Sequence, residues 1–150
     1  ATEGVRVALE PSAGGGNHIG WDFDELEALL IVLGNESRLS VCLDTAHLWA
    51  SGWDVRSPAG FDDMLKNFDK KVGLNRLSVL HLNDSKAVQS SKLDRHDNIG
   101  DGQLGLEAFR HIVNHPRLSH LPAIMETPGY ETPESNGKNI ATMKALRDHT

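Results

Sequence analysis

A chain of 150 residues is long enough for one domain with a usable core, and 39% apolar with 24% charged residues is the balance of a folded, soluble protein. Its 15 basic and 21 acidic residues leave a net charge of −6, which is no basic footprint for nucleic acid, although bound divalent cations would reverse the field locally and keep a phosphate-bearing ligand open. The single cysteine, Cys42, excludes an internal disulfide and fits a reducing, cytoplasmic compartment, and no apolar run is long enough for a membrane span.

In chain order, Val5 to Leu9 reads as a strand ending at Glu10, with a Gly-rich loop, Pro11 to Gly16, behind it. Asp22 is placed to cap a helix that carries Leu26, Leu29, Leu30 and Leu33 on one face, with Gly34 as its stop. Leu39 to Leu43 is the next strand, ending at Asp44, with His47 three residues on. Ser57 and Pro58 are a cap and a first-turn proline for a helix bearing Phe61, Leu65, Phe68 and Val72 and stopping at Gly73. Leu77 to Leu80 is a third strand, ending at His81. Leu106, Phe109, Ile112 and Val113 mark a helix. Leu121 to Met125 is a fourth strand, ending at Glu126. Thr132-Pro133 opens a last helix with Ile140, Met143 and Leu146 on its apolar face.

Strands alternating with amphipathic helices predict a single α/β domain with parallel pairing and right-handed crossovers, spaced as in a TIM-type barrel. In such sheets the C-terminal strand ends form one rim, where sites are built. Four successive strands here end on Glu10, Asp44, His81 and Glu126, all metal-ligand types. The loop after His81 adds Asp94-Arg95-His96, whose outer two residues project to one side of an extended segment. Arg95 then points the other way, free for an anion such as phosphate. With His47, seven candidates converge: Glu10, Asp44, His47, His81, Asp94, His96 and Glu126. Four carboxylates and three imidazoles are too many for one ion, and the mixed N/O set suits zinc, manganese or iron. Trp49 and Trp53 read as core or rim packing, His111, His115 and His120 as surface histidines, and the GDGQLG segment as a turn rather than a phosphate cradle.

Four motifs carry a resemblance. EPSAGGG at Glu10 to Gly16, VCLDTAH at Val41 to His47, HLNDSK at His81 to Lys86 and DRHDNIGDG at Asp94 to Gly102 resemble the endonuclease IV family of apurinic/apyrimidinic endonucleases. The resemblance runs nearly the whole chain. It implies a TIM barrel with up to three metal ions, usually zinc, that cleaves duplex DNA 5′ to abasic sites and trims blocked 3′ ends. Carried over by position, Asp44, His81 and Glu126 hold one zinc, Glu10 bridges it to another, and His47, Asp94 and His96 hold the third. Glu126 and Glu10 are then the catalytic carboxylates. Asn83, Ser85, Lys86 and Arg95 would lie near the DNA backbone.

Where that family has eight strands, four are expected here, so residues 1–150 read as the (βα)4 C-terminal half of a (β/α)8 barrel, starting at Ala1 without methionine. A missing amino-terminal half, or a second copy, is expected to complete the barrel and a metal site. Pro11 stands where the family commonly has Asn. Two other functions fit parts of the pattern. A xylose-isomerase-like sugar isomerase or epimerase shares the Glu, Asp, His, Glu strand ends, but that group typically lacks the Asp-Arg-His loop. An inactive metal-binding half-barrel is the reading from a different class.

Overall fold

The computed structural model describes residues 4–128 and 133–147. The expected cap at Thr132 lies outside them. The main sheet contains β1 (Val7–Leu9), β2 (Leu39–Asp44), β3 (Leu77–His81) and β6 (Ala123–Ile124), all parallel and paired in that order. Between them run α1 (Phe23–Val32), α2 (Thr45–Ser51), α3 (Pro58–Lys71) and α4 (Gly105–Val113), and α5 (Pro133–Leu146) follows the last strand. Two short strands, β4 (Asp84–Ser85) and β5 (His96–Asp97), pair antiparallel beyond the end of β3.

The helix starts follow the expected chemistry. The Asp22 carboxylate accepts from the Glu25 N–H at 2.8 Å, and the Ser57 hydroxyl accepts from the Gly60 N–H at 3.1 Å. Gly34, at φ +72°, turns the chain out of α1. The core lies between the sheet and its helices: Phe23, Leu26 and Leu30 of α1 and Phe61, Met64, Leu65 and Phe68 of α3 are buried with Val41, Leu43, Leu77 and Leu80. Phe23 stacks on Trp53 and meets Phe68 edge-on, at 5.2 and 5.3 Å between ring centres. Trp49 is buried and donates its indole N–H to the Ala87 carbonyl.

Several expectations need correction. The outer strands are shorter than the apolar runs that suggested them, since each pairs on one side among the described residues and Pro122 has no N–H to give. The helix α2 was not expected. It springs directly from β2 because Asp44 is both the last strand residue and its cap, accepting from the Ala46 and His47 N–H groups. Leu33, Leu106 and Ile140 are exposed rather than in the core. No helix is long and apolar enough to cross a membrane among the described residues.

The largest surprise is Asp84. Fully buried, its carboxylate accepts from the backbone N–H groups of Ser85, Gly100, Gly102, Leu104 and Gly105, all between 2.8 and 3.2 Å. The Gly-rich turn therefore closes on a carboxylate of this chain, and that same group caps α4, whose Leu104 has no side-chain cap of its own. A Cβ on Gly102 would sit 2.5 Å from an Asp84 oxygen, so glycine is required there by close approach. Asp84→Ala strands several buried donors at once and should cost at least about 3 kcal/mol, read as a lower urea midpoint; Asp84→Asn, with one acceptor oxygen left, should fall between the two.

Candidate metal centre

The parallel register brings the expected residues to one rim. Asp44 lies opposite His81, and His81 opposite Ile124, two residues before Glu126. Glu10 follows the last residue of β1. Its Oε1 is 3.1 Å from His81 Nδ1 and 3.3 Å from His47 Nδ1. Glu126 Oε2 is 3.3 Å from His81 Nδ1, and Asp44 Oδ2 is 3.9 Å from it. Glu10, Asp44, His81 and Glu126 thus offer four donor atoms within 4.8 Å of one another.

A second group of donors forms beside the first. Asp44, His47 and His96 also offer atoms within 4.8 Å of one another. The Asp94 carboxylate spans the two histidines, each of its oxygens 3.2 Å from one Nε2. Nevertheless neither Nε2 makes a hydrogen bond, although both atoms are buried. The other ring nitrogens are engaged: His47 Nδ1 lies 3.1 Å from the Pro11 carbonyl, and His96 Nδ1 3.1 Å from the Glu126 carbonyl. A carbonyl partner takes the proton on Nδ1, so in the neutral ring it is Nε2 that carries the lone pair. Two buried Nε2 atoms facing one carboxylate, neither of them hydrogen-bonded, suit a bound cation that takes the place of a proton.

Charge at the rim is badly unbalanced in the chain alone. Burial raises Asp44 above the ordinary carboxylate range, against the pull of His47 and His96. Burial also favours the neutral form of Glu10, but His47 and His81 outweigh it and hold Glu10 below its usual value. Burial opposes charge on His47, yet Glu10, Asp44 and Asp94 push it up to about 9. Cys42, behind the rim, is pushed up to about 12 by burial and by the Glu10 and Asp44 carboxylates, so it stays a thiol.

Sequence reasoning misplaced two residues. Asn83 and Ser85, expected near DNA, are fully buried and cannot touch a backbone phosphate. Asn83 donates to Asp44 Oδ2 at 2.6 Å and accepts from the Glu126 N–H at 2.7 Å, tying two rim carboxylates together. Ser85 bonds within its own turn, to Ala87. Lys86 and Arg95 are exposed; the Arg95 guanidinium donates to the Asp94 carbonyl, and Lys86 lies 3.9 Å from Asp97. His111 and His115 bond to the Arg56 carbonyl and to Asp62, among residues of the helix layer rather than of the rim. The residues missed outright are Asn139, which donates to Thr127 and Asn98 beside Glu126, and Asp84. The Asn83-Asp84 pair, one residue past the end of β3, was the visible signal for Asp84, and Asn139 had none.

Residues 1–149 match the xylose isomerase-like TIM-barrel family. The chain belongs to that family. It is 42% identical over 142 residues to "Probable endonuclease 4" of Chloroflexus aggregans, covering 95% of this chain and 50% of that one. It is 44% identical over 133 residues to "Apurinic-apyrimidinic endonuclease" of Caenorhabditis elegans, covering 89% of this chain and 34% of that protein. The crystal structure of endonuclease IV from Thermus thermophilus superposes with a TM-score of 0.80 at 35% identity, over 93% of this chain and 48% of the other. The chain spans about half the length of these relatives or less.

His96→Ala should lower the divalent-metal content of the intact protein by one equivalent, measured by mass spectrometry of the dialysed protein, if His47, Asp94 and His96 share an ion. Unchanged stoichiometry would sink that assignment. A metal on His47 must also displace a proton, because the imidazole is protonated below about 9. Affinity should therefore rise about tenfold per pH unit up to that value and then level off, with proton release in calorimetry. A flat profile between pH 6 and 8 is the contrary result.

Proposed function

We propose that the chain is the C-terminal half of a zinc-dependent apurinic/apyrimidinic endonuclease barrel, hydrolysing the phosphodiester 5′ to abasic sites in duplex DNA and trimming blocked 3′ ends. The observation that carries this reading is the pair of unbonded, buried Nε2 atoms of His47 and His96 facing Asp94, next to the Glu10, Asp44, His81 and Glu126 group. Glu10, Asp44, His81 and Glu126 would hold zinc on one side, and His47, Asp94 and His96 on the other. When bound, zinc supplies Lewis acidity and positive charge for phosphodiester hydrolysis.

The chain's own residues divide the remaining work. The Glu126 side chain is 49% exposed, so it stands at the mouth of the site where a water molecule can reach it. Its carboxylate is suited to accept the proton of that water as the water attacks phosphorus. Asn83 fixes the Glu126 backbone, and Asp44 stays in place through Asn83 and the first turn of α2. Exposed Lys86 and Arg95 flank the rim and offer cations to backbone phosphates. The sugar isomerase reading explains Glu10, Asp44, His81 and Glu126 but leaves His47, Asp94 and His96 without a task.

The sheet supports a further part of the reading. Val5, Val7 and Ile124 are 50 to 52% exposed at or near its two outer strands. An apolar cleft lined by Leu121, Met125, Ile140 and Met143 lies beside β6. Exposed strand edges are normally covered or closed, so a second half of the barrel, or a second copy, fits against them. In the intact protein, Glu126→Gln should keep fold and circular dichroism but lower nicking of abasic duplex DNA by about a hundredfold or more. Parent-like nicking by that variant removes Glu126 from the mechanism.

A further inference from the structure

Three segments that carry candidate metal donors, the Glu10 loop, the end of α2 and residues 89–96, meet at one residue, Lys92. Its backbone N–H donates to the Ala50 carbonyl at 3.0 Å, and its ammonium donates to the Ser51 carbonyl at 3.0 Å. The same ammonium lies 3.3 Å from the centre of the Trp21 ring. Ser90 N–H donates to the Trp49 carbonyl and the Gln89 amide to the Gly52 carbonyl. Residues 89–92 thus donate to the Trp49, Ala50, Ser51 and Gly52 carbonyls at the end of α2. A cation at that end also complements the helix dipole.

The Glu10 loop rests on the other side of Lys92. A Cβ on Gly15 would lie 2.8 Å from the Lys92 carbonyl oxygen, and one on Gly14 would lie 3.0 Å from Lys92 Cδ. Glycine at both positions lets the loop seat there. Ser90 and Lys92 both hold the left-handed conformation, at φ +62° and +60°. Side-chain-bearing residues stay in that region only where their surroundings dictate it. Two residues beyond Lys92 comes Asp94, whose side chain is 57% exposed. Little packing holds that carboxylate, so its place depends on where the backbone before it is anchored.

We propose that Lys92 is a positioning residue for the metal centre, clamping the Asp94-x-His96 segment onto the end of α2 and so setting Asp94 against His47 and His96. This rests on the reading that those three residues hold an ion. Lys92 binds no metal and makes no DNA contact in this role; its ammonium is committed to Ser51 and Trp21.

Cobalt(II) titration of the intact protein, followed by its visible d–d absorption, tests the clamp. Lys92→Met keeps the apolar stem but loses the ammonium, and should weaken one cobalt site about 10- to 100-fold, the range seen for lost outer-shell partners, while altering its absorption band. Lys92→Arg, which keeps charge and donors, should restore both affinity and spectrum. Lys92→Gln, milder than Met, should show the same defect to a smaller degree and serves if the Met variant folds poorly. His96→Ala marks what losing that site looks like. If Lys92→Met matches the parent while His96→Ala loses an equivalent, the clamp is wrong and the metal assignment stands. If His96→Ala loses nothing, the metal assignment fails and the clamp goes with it.

Discussion

Four carboxylates crowd three imidazoles at the end of one sheet, and their charge has to be neutralised. Without a cation the chain does this poorly. Burial raises Asp44, and His47 is driven up to about 9 to supply a positive charge. Groups of one sign this close persist only where something of opposite sign is held among them. The same arrangement therefore explains why these donors are gathered and why two imidazole nitrogens have no hydrogen bond. Much else at the rim exists to keep them from drifting apart.

Two kinds of support do this. The parallel ladder sets Asp44 and His81 side by side at fixed spacing, which needs only backbone hydrogen bonds. The donors on loops need more. His47 is held by α2, which starts on Asp44; His96 is held by β5 pairing to β4 and by the Glu126 carbonyl; Asp94 hangs from the segment seated on the α2 carbonyls. Asn83 joins the two arrangements by bonding a strand-end carboxylate and the backbone of Glu126. Fully buried amides and carboxylates in such positions carry an energetic penalty unless every partner is present, which fits the dense bonding of Asn83 and Asp84.

Strand-end residues were legible because chain order alone puts parallel strand ends on one edge. Glu10, Asp44, His81 and Glu126 needed no knowledge of side-chain packing to be grouped. Helix starts at Asp22 and Ser57 were legible for a similar reason, since a cap acts within a few residues. The turn after β3 was not. Asn83 and Ser85 are turned away from solvent by partners far along the chain, Asn83 by Thr45, Asp44 and Glu126, and Ser85 by His96 and Gln103. Asp84 looked like one more loop polar because four of its five amide partners lie 16 to 21 residues away. Exposure of Leu106 and Ile140 was hidden by periodicity, which marks an apolar stripe without showing how wide a strip the neighbour covers.

The order of the sheet also bears on how the chain comes to be folded. In the main sheet β2 pairs with β1, β3 with β2 and β6 with β3, so each added strand finds its partner already made. During synthesis the sheet can lengthen at a single leading edge, with each helix covering the seam just formed. The candidate metal donors arrive in the same progression, from Glu10 first to Glu126 last. An emerging polypeptide therefore exposes an unfinished cluster of carboxylates until β6 is in place, and a cation present in the surrounding solution can favour that closing step by binding the assembled rim more tightly than any partial one.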